Sequence, residues 1–144
     1  MPPKQPDDDA LVGSLRLGVM RLARRLRRER GEENLTLTQL SLLGTLELNG
    51  SCTLGELAAE EKISAPSVTR IVNALVESGL VDRNAHETDG RQIVATLTPA
   101  AVTLLERNRL QRNRWLANQL RGLTDEQRST LARAAIILDD MARA

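Results

Sequence analysis

A chain of 144 residues, 41% of them hydrophobic, suits one domain burying roughly 68–70% of its unfolded surface, which excludes disorder throughout. Aromatic side chains are nearly absent: Trp115 stands beside His86 alone, with no Phe or Tyr, so the core must be Leu, Val, Ile and Ala, and stacking platforms for single-stranded nucleic acid are excluded. The formal net charge is only +1, but it is uneven, with +2 over residues 1–35, −4 over 36–98 and +3 over 99–144.

Residues 1–9 are rich in Pro and Asp and are expected to form a flexible tail. The N-terminus lacks an apolar segment of signal-peptide length, and no later run approaches the ~20 residues needed to cross a bilayer, so a cytoplasmic protein without a membrane partner is expected. The single cysteine, Cys52, cannot form an intramolecular disulfide.

Leu11, Leu15, Val19, Leu22 and Leu26 recur at helical spacing, with arginines between them, and predict an amphipathic helix that stops near Gly31. A second helix is expected after a Thr36 or Thr38 cap, with Leu40, Leu43 and Leu46 inward and Asn49-Gly50 as its end. The stretch TLGE, Thr53 to Glu56, is a capping box that opens a short helix with Leu57 and Ala58 buried, over by Lys62.

Ser64 caps the next helix, Pro66 sits in its first turn where a missing N–H costs nothing, and Val68, Ile71, Val72 and Leu75 form the inward stripe before Gly79. Leu80-Val81 and Ile93 to Leu97 flank the polar stretch Asn84 to Gly90, which predicts a β-hairpin with a long tip. Thr98-Pro99 repeats the cap-plus-proline start, for a helix expected over 99–121 and roughly 34 Å long. TDEQ, Thr124 to Gln127, is a further capping box, opening a last helix with Leu131, Ala135, Ile136 and Leu138 on one side.

The predicted fold class is mainly α with a small β-hairpin wing: a winged helix-turn-helix over 36–98, with N- and C-terminal dimerisation helices over 10–35 and 99–144. In that motif the second helix lies in the major groove with its leading residues at base edges. A helix entering a groove about 12 Å wide needs small, hydrogen-bonding residues at its tip. Ser64, Ser67 and Thr69 supply hydroxyls, Ala65 and Pro66 keep bulk low, and Arg70 and Asn73 reach further; Arg suits guanine and Asn suits adenine. The plainer reading of each is a good helix start and a solvated outer face, but the cap, one-sided helix, glycine stop and basic-tipped wing occur together.

The motifs LVDR (Leu80 to Arg83), Asp89-Gly90-Arg91 and Leu97-Thr98-Pro99 resemble the wing signature of the MarR family of bacterial transcriptional regulators. The similarity extends from about Leu11 to Met141. It implies an obligate homodimer with intertwined terminal helices, binding a pseudo-palindromic operator in double-stranded DNA. It also implies that Arg91 approaches the minor groove while Asp89 holds its side chain. Arg83, at the wing base, reads either as a phosphate contact or as a fold partner for nearby acids. Thr38 and Gln39, at a helix N-terminus, are expected against the DNA backbone through their amides. The net −4 of residues 36–98 opposes strong phosphate binding, so moderate affinity with a shallow salt slope is expected.

The resemblance further implies a pocket for a small aromatic effector, with Arg16, Met20, Arg24 and Trp115 as loose candidates that no motif ties to a ligand. The expected function is thus a homodimeric, sequence-specific DNA-binding regulator, a repressor relieved by a small molecule. Two other readings stand beside it. Cys52 near a helix N-terminus suggests a redox-sensing regulator, although no second Cys, Tyr or neighbouring cation supports the thiol. The acidic middle segment suggests a winged-helix protein adaptor that does not bind DNA. No catalytic residue, metal site or cofactor is expected: one His and one Cys lack ligand spacing, and no phosphate loop or nucleophile motif occurs. His86 falls on the wing tip as a surface residue or phosphate contact.

Overall fold

The computed structural model describes residues 7–31 and 34–144. Among these the order is α1 (Asp8–Arg28), α2 (Leu37–Asn49), β1 (Ser51–Thr53), α3 (Leu54–Glu61), α4 (Ala65–Glu77), β2 (Val81–Ala85), β3 (Ile93–Leu97), α5 (Pro99–Arg121) and α6 (Asp125–Ala142). The chain divides into two compact units, Gly31–Arg109 and a helical unit made of the described residues up to Arg30 together with Leu110–Ala144. No helix among the described residues is long and apolar enough to cross a membrane.

The Gly31–Arg109 unit owes its helix starts to local chemistry. Thr36, rather than Thr38, caps α2: its hydroxyl oxygen accepts from the Gln39 amide at 3.1 Å, and the Gln39 side chain accepts from the Thr36 amide at 2.9 Å. Thr53 and Glu56 form the same reciprocal pair at the start of α3. Each such cap satisfies amides that a helix start otherwise leaves without partners. Lys62 ends α3 in the left-handed region at φ 53°, a conformation a side chain adopts at a cost.

The three helices α2, α3 and α4 close on one aliphatic core. Leu42, Leu43, Leu46, Leu57, Val68, Val72 and Leu75 are fully buried, while Leu40, Ala58 and Ile71 pack at its edge. Leu42 is thus the residue the inward stripe of α2 lacked. Each fully buried side chain contributes about 1.5–3 kcal/mol relative to exposure. Glu61 accepts from the Ser41 and Thr45 hydroxyls at 2.8 and 2.7 Å, clamping the end of α3 to α2.

The hairpin extends into a three-stranded antiparallel sheet in the order β1-β3-β2. Ser51 pairs with Thr96 and Thr53 with Val94, while Val81 pairs with Leu97 and Ala85 with Ile93. Strand β1 has no counterpart in the hairpin expected from the sequence. It buries Cys52 and Ala95, opposite each other in the β1–β3 pair, and joins the sheet to the core.

Helix α5 starts at Pro99 and ends at Arg121 as expected. Asn108 on it is fully buried, and its Oδ1 accepts from the Gly31 amide at 2.9 Å.

In the helical unit, α1 begins at Asp8, inside the stretch expected as tail; residues 1–6 lie outside the described residues. It ends at Arg28, capped by the Glu29 amide, so Gly31 lies beyond its end rather than at it. Thr124 and Gln127 form the third capping box, at the start of α6. Neither α1 nor α6 has a buried residue. Leu11, Leu15, Val19 and Leu22 on α1 are exposed, as are Leu131, Ile136, Ile137, Leu138 and Met141 on α6.

Candidate nucleic-acid interface

Helix α4 presents a one-sided surface. Val68, Val72 and Leu75 face the core, while Ser64 as the cap, together with Ala65, Pro66, Arg70 and Asn73, is exposed. Ser67 and Thr69 are half-buried. The Ser64 hydroxyl accepts from the Ser67 amide at 3.3 Å and meets the Ser67 hydroxyl at 2.8 Å. Arg70 donates from Nη2 to that same Ser67 oxygen at 3.3 Å. Its guanidinium is thereby drawn along the leading turn of the helix. Thr69 donates its hydroxyl proton to the Ala65 carbonyl at 3.1 Å, so toward a partner it has only acceptor capacity left.

Thr38, Ile63, Ser67, Arg70 and Ile71 line one open concavity. Thr38 therefore lies beside the leading half of α4, whereas the Gln39 side chain is held by the α2 capping box.

The wing is anchored at its base and folded at its tip by side chains. At the base, Thr98 donates its hydroxyl proton to the Gly79 carbonyl at 2.7 Å, and its amide donates to the Leu80 carbonyl at 3.1 Å. Gly79, at φ 74°, makes the turn from α4 into β2 in a conformation that suits glycine. Arg83, on β2, donates to Oδ1 of Asn73 at 2.6 Å, which ties the wing base to the exposed side of α4. The fold partner of Arg83 is thus an amide; no carboxylate pairs with it among the described residues.

At the tip, the His86 amide donates to the Gln92 carbonyl at 2.9 Å, and the Gln92 amide to the Asp89 carbonyl at 3.0 Å. His86 Nδ1 accepts from the amides of Thr88 at 3.3 Å and Asp89 at 3.1 Å. His86 is therefore the residue around which the tip turns, and not simply a surface group. Asp89 accepts at 3.1 Å from the backbone amide of Arg91 rather than from its guanidinium. The carboxylate shapes the turn that carries Arg91, whose exposed side chain makes no hydrogen bond or ion pair among the described residues.

Three of the acidic side chains behind the net −4 are occupied by the fold. Glu56 caps α3, Glu61 clamps α2, and Glu47 pairs with Arg109 of α5. No group of three or more metal-ligating side chains occurs among the described residues.

Cys52 is buried in β1 and free of any disulfide. Burial pushes its thiol above the ordinary value, opposed by a hydrogen bond from Asn49 at 3.7 Å and reinforced by the charges of Glu56 and Glu60. In the helical unit, the Arg25 guanidinium lies 4.9 Å from the Trp115 ring centroid and pairs with Glu29 at 2.5 Å. Trp115 thus stacks on a cation of its own chain.

The profile of a family described as the MarR family matches residues 35–93, which run from just before α2 to the first residue of β3. An uncharacterized helix-turn-helix-type transcriptional regulator of Mycobacterium leprae is 39% identical over 133 residues, covering 92% of this chain and 93% of its own. The crystal structure of a candidate transcriptional regulator from Pseudomonas aeruginosa superposes with a TM-score of 0.84 at 31% identity, covering 97% of this chain and 99% of that one. A MarR family protein from Bacillus stearothermophilus gives a TM-score of 0.79 at 25% identity, with 94% and 95% covered.

Proposed function

Because this chain belongs to the MarR family of transcriptional regulators, and is therefore no enzyme, we propose that it is a cytoplasmic homodimeric repressor of a pseudo-palindromic operator, relieved by a small aromatic effector. In this reading residues 36–98 bind the duplex. Helix α4 enters the major groove, placing Ser64, Ala65, Pro66, Ser67, Thr69, Arg70 and Asn73 against base edges and sugar-phosphate. Thr38 and Gln39 approach a phosphate through the start of α2, and Arg91, on the turn shaped by Asp89, reaches the minor groove. The observation that carries the reading is the shared exposure of the Ser64–Asn73 face and of Arg91, with Arg83 bridging helix and wing.

Dimerisation through residues 10–35 and 99–144 is supported by the apolar side chains of α1 and α6 that the single chain leaves uncovered. The acidic residues committed to caps and clamps lessen the opposition of the −4 segment to phosphate binding.

The test is an electrophoretic mobility shift with the DNA upstream of the protein's own gene. Wild type shifts it, and the Arg70→Ala, Arg91→Ala double variant does not. A folded dimer that ignores DNA at low salt would instead favour the adaptor reading, which the net charge of residues 36–98 supports.

A further inference from the structure

The Asn73–Arg83 contact bears on which base α4 reads, and the inference rests on the proposal that α4 enters the major groove. A guanidinium has five N–H donors and no acceptor, so the Asn73 atom facing Arg83 at 2.6 Å must be the oxygen, whichever way round an amide is drawn. The Asn73 amino group is then fixed on the other branch of the planar amide. Both residues are exposed, so their remaining donors are available to a ligand.

Asparagine reads adenine by donating to N7 and accepting from the N6 amino group. Here an adenine amino group would have to approach an oxygen that already accepts from a cation. Guanine presents the opposite pattern in the major groove, two adjacent acceptors, O6 and N7. The Asn73 amino group, toward N7, and a second N–H of the Arg83 guanidinium, toward O6, complement that edge; exclusion of water at the interface strengthens both bonds, and the Arg83 one is charge-assisted.

We propose that Asn73 and Arg83 form one donor-only reading unit that joins recognition helix to wing base and selects guanine in each half-site. Arg83 both contacts the base and positions its partner: it holds the amide that touches the base, and it removes the adenine preference an isolated asparagine would have.

The experiment takes the full-length dimer and its selected operator. Each guanine is replaced in turn by 7-deazaguanine, which lacks the N7 acceptor, and binding is measured for wild type, Asn73→Ala and Arg83→Met. At one guanine per half-site the replacement weakens wild type, while Asn73→Ala is indifferent to it. At that pair wild type prefers G over A by roughly 5- to 150-fold, the range of one good bidentate contact. Arg83→Met, which keeps the stem but not the donors, loses the preference and gains affinity for A relative to G. The inference is overturned if wild type prefers A at the position Asn73 controls, if no guanine is coupled to Asn73, or if Arg83→Met leaves the preference unchanged. Circular dichroism confirms that each variant is folded. A folded wild type that binds no duplex overturns the DNA-binding reading itself, an outcome distinct from binding with the wrong base preference.

Discussion

The hydroxyl of Thr98 serves two elements at once, donating to the Gly79 carbonyl at 2.7 Å and accepting from the Ala101 amide at 3.2 Å. One atom thereby caps α5 and closes the turn between α4 and the wing. Thr98→Val retains the shape and removes both bonds, leaving the exposed Gly79 carbonyl to water and the amide of buried Ala101 without its cap. A loss of about 1–3 kcal/mol is expected, seen as a lower urea midpoint with unchanged slope. Thr98→Ser restores most of it; a Thr98→Val protein as stable as wild type would contradict the dual role.

Lys62 offers the reverse case. Its φ of 53° burdens a non-glycine residue at the turn between α3 and α4. Lys62→Gly relieves that cost but adds freedom to the unfolded chain, for a net gain of up to about 1 kcal/mol. Thermal unfolding of the two proteins side by side checks the sign.

Asn108 is buried, and its oxygen satisfies the Gly31 amide. Asn108→Leu strands that amide and is expected to cost about 1–3 kcal/mol despite the added apolar surface. Asn108→Asp, which keeps the acceptor and the side-chain volume, separates loss of the bond from the change of shape when both are unfolded in urea.

Cys52 titrates above its ordinary range in the folded chain, chiefly through burial. The folded state therefore holds the thiol proton more tightly than the unfolded state. Stability from this group is complete below the unfolded thiol's pKa of about 8.5 and falls as pH rises beyond it. A Cys52→Ala protein lacks that decline. Alkylation of the native thiol at pH 8 is slow and accelerates in urea, and operator release by peroxide, if any occurs, is the same in Cys52→Ser. A peroxide response abolished by Cys52→Ser would revive the redox reading.

For DNA affinity, the expected dependence on salt is shallow. A log–log slope equivalent to about eight or more neutralised phosphates per dimer would contradict it.

The helices were legible because their signals are local. Thr36 to Gln39, Thr53 to Glu56 and Thr124 to Gln127 are four-residue capping words, and each opens a helix in the structure. Strand β1 was not legible: three residues have no periodicity, and they become a strand only by pairing with β3 more than forty residues later. A still longer separation, 77 residues, hid the Asn108–Gly31 bond. Arg83 and Asn73 were each singled out separately, but their union is a product of the turn at Gly79. The family resemblance implies Asp89 on the Arg91 side chain; the tight turn brings the backbone amide closer. The structuring role of His86 had no sequence signal beyond its place in a polar tip.

Helix α6 has eighteen residues and none of them buried. Helices in proteins draw most of their stability from the packing of one face rather than from propensity. If a second copy covers it, as in the homodimer proposed above, the melting midpoint becomes a function of how much protein is present. Dilution should loosen the C-terminal segment first, so a cell's copy number would set the fraction of this protein that survives proteolysis.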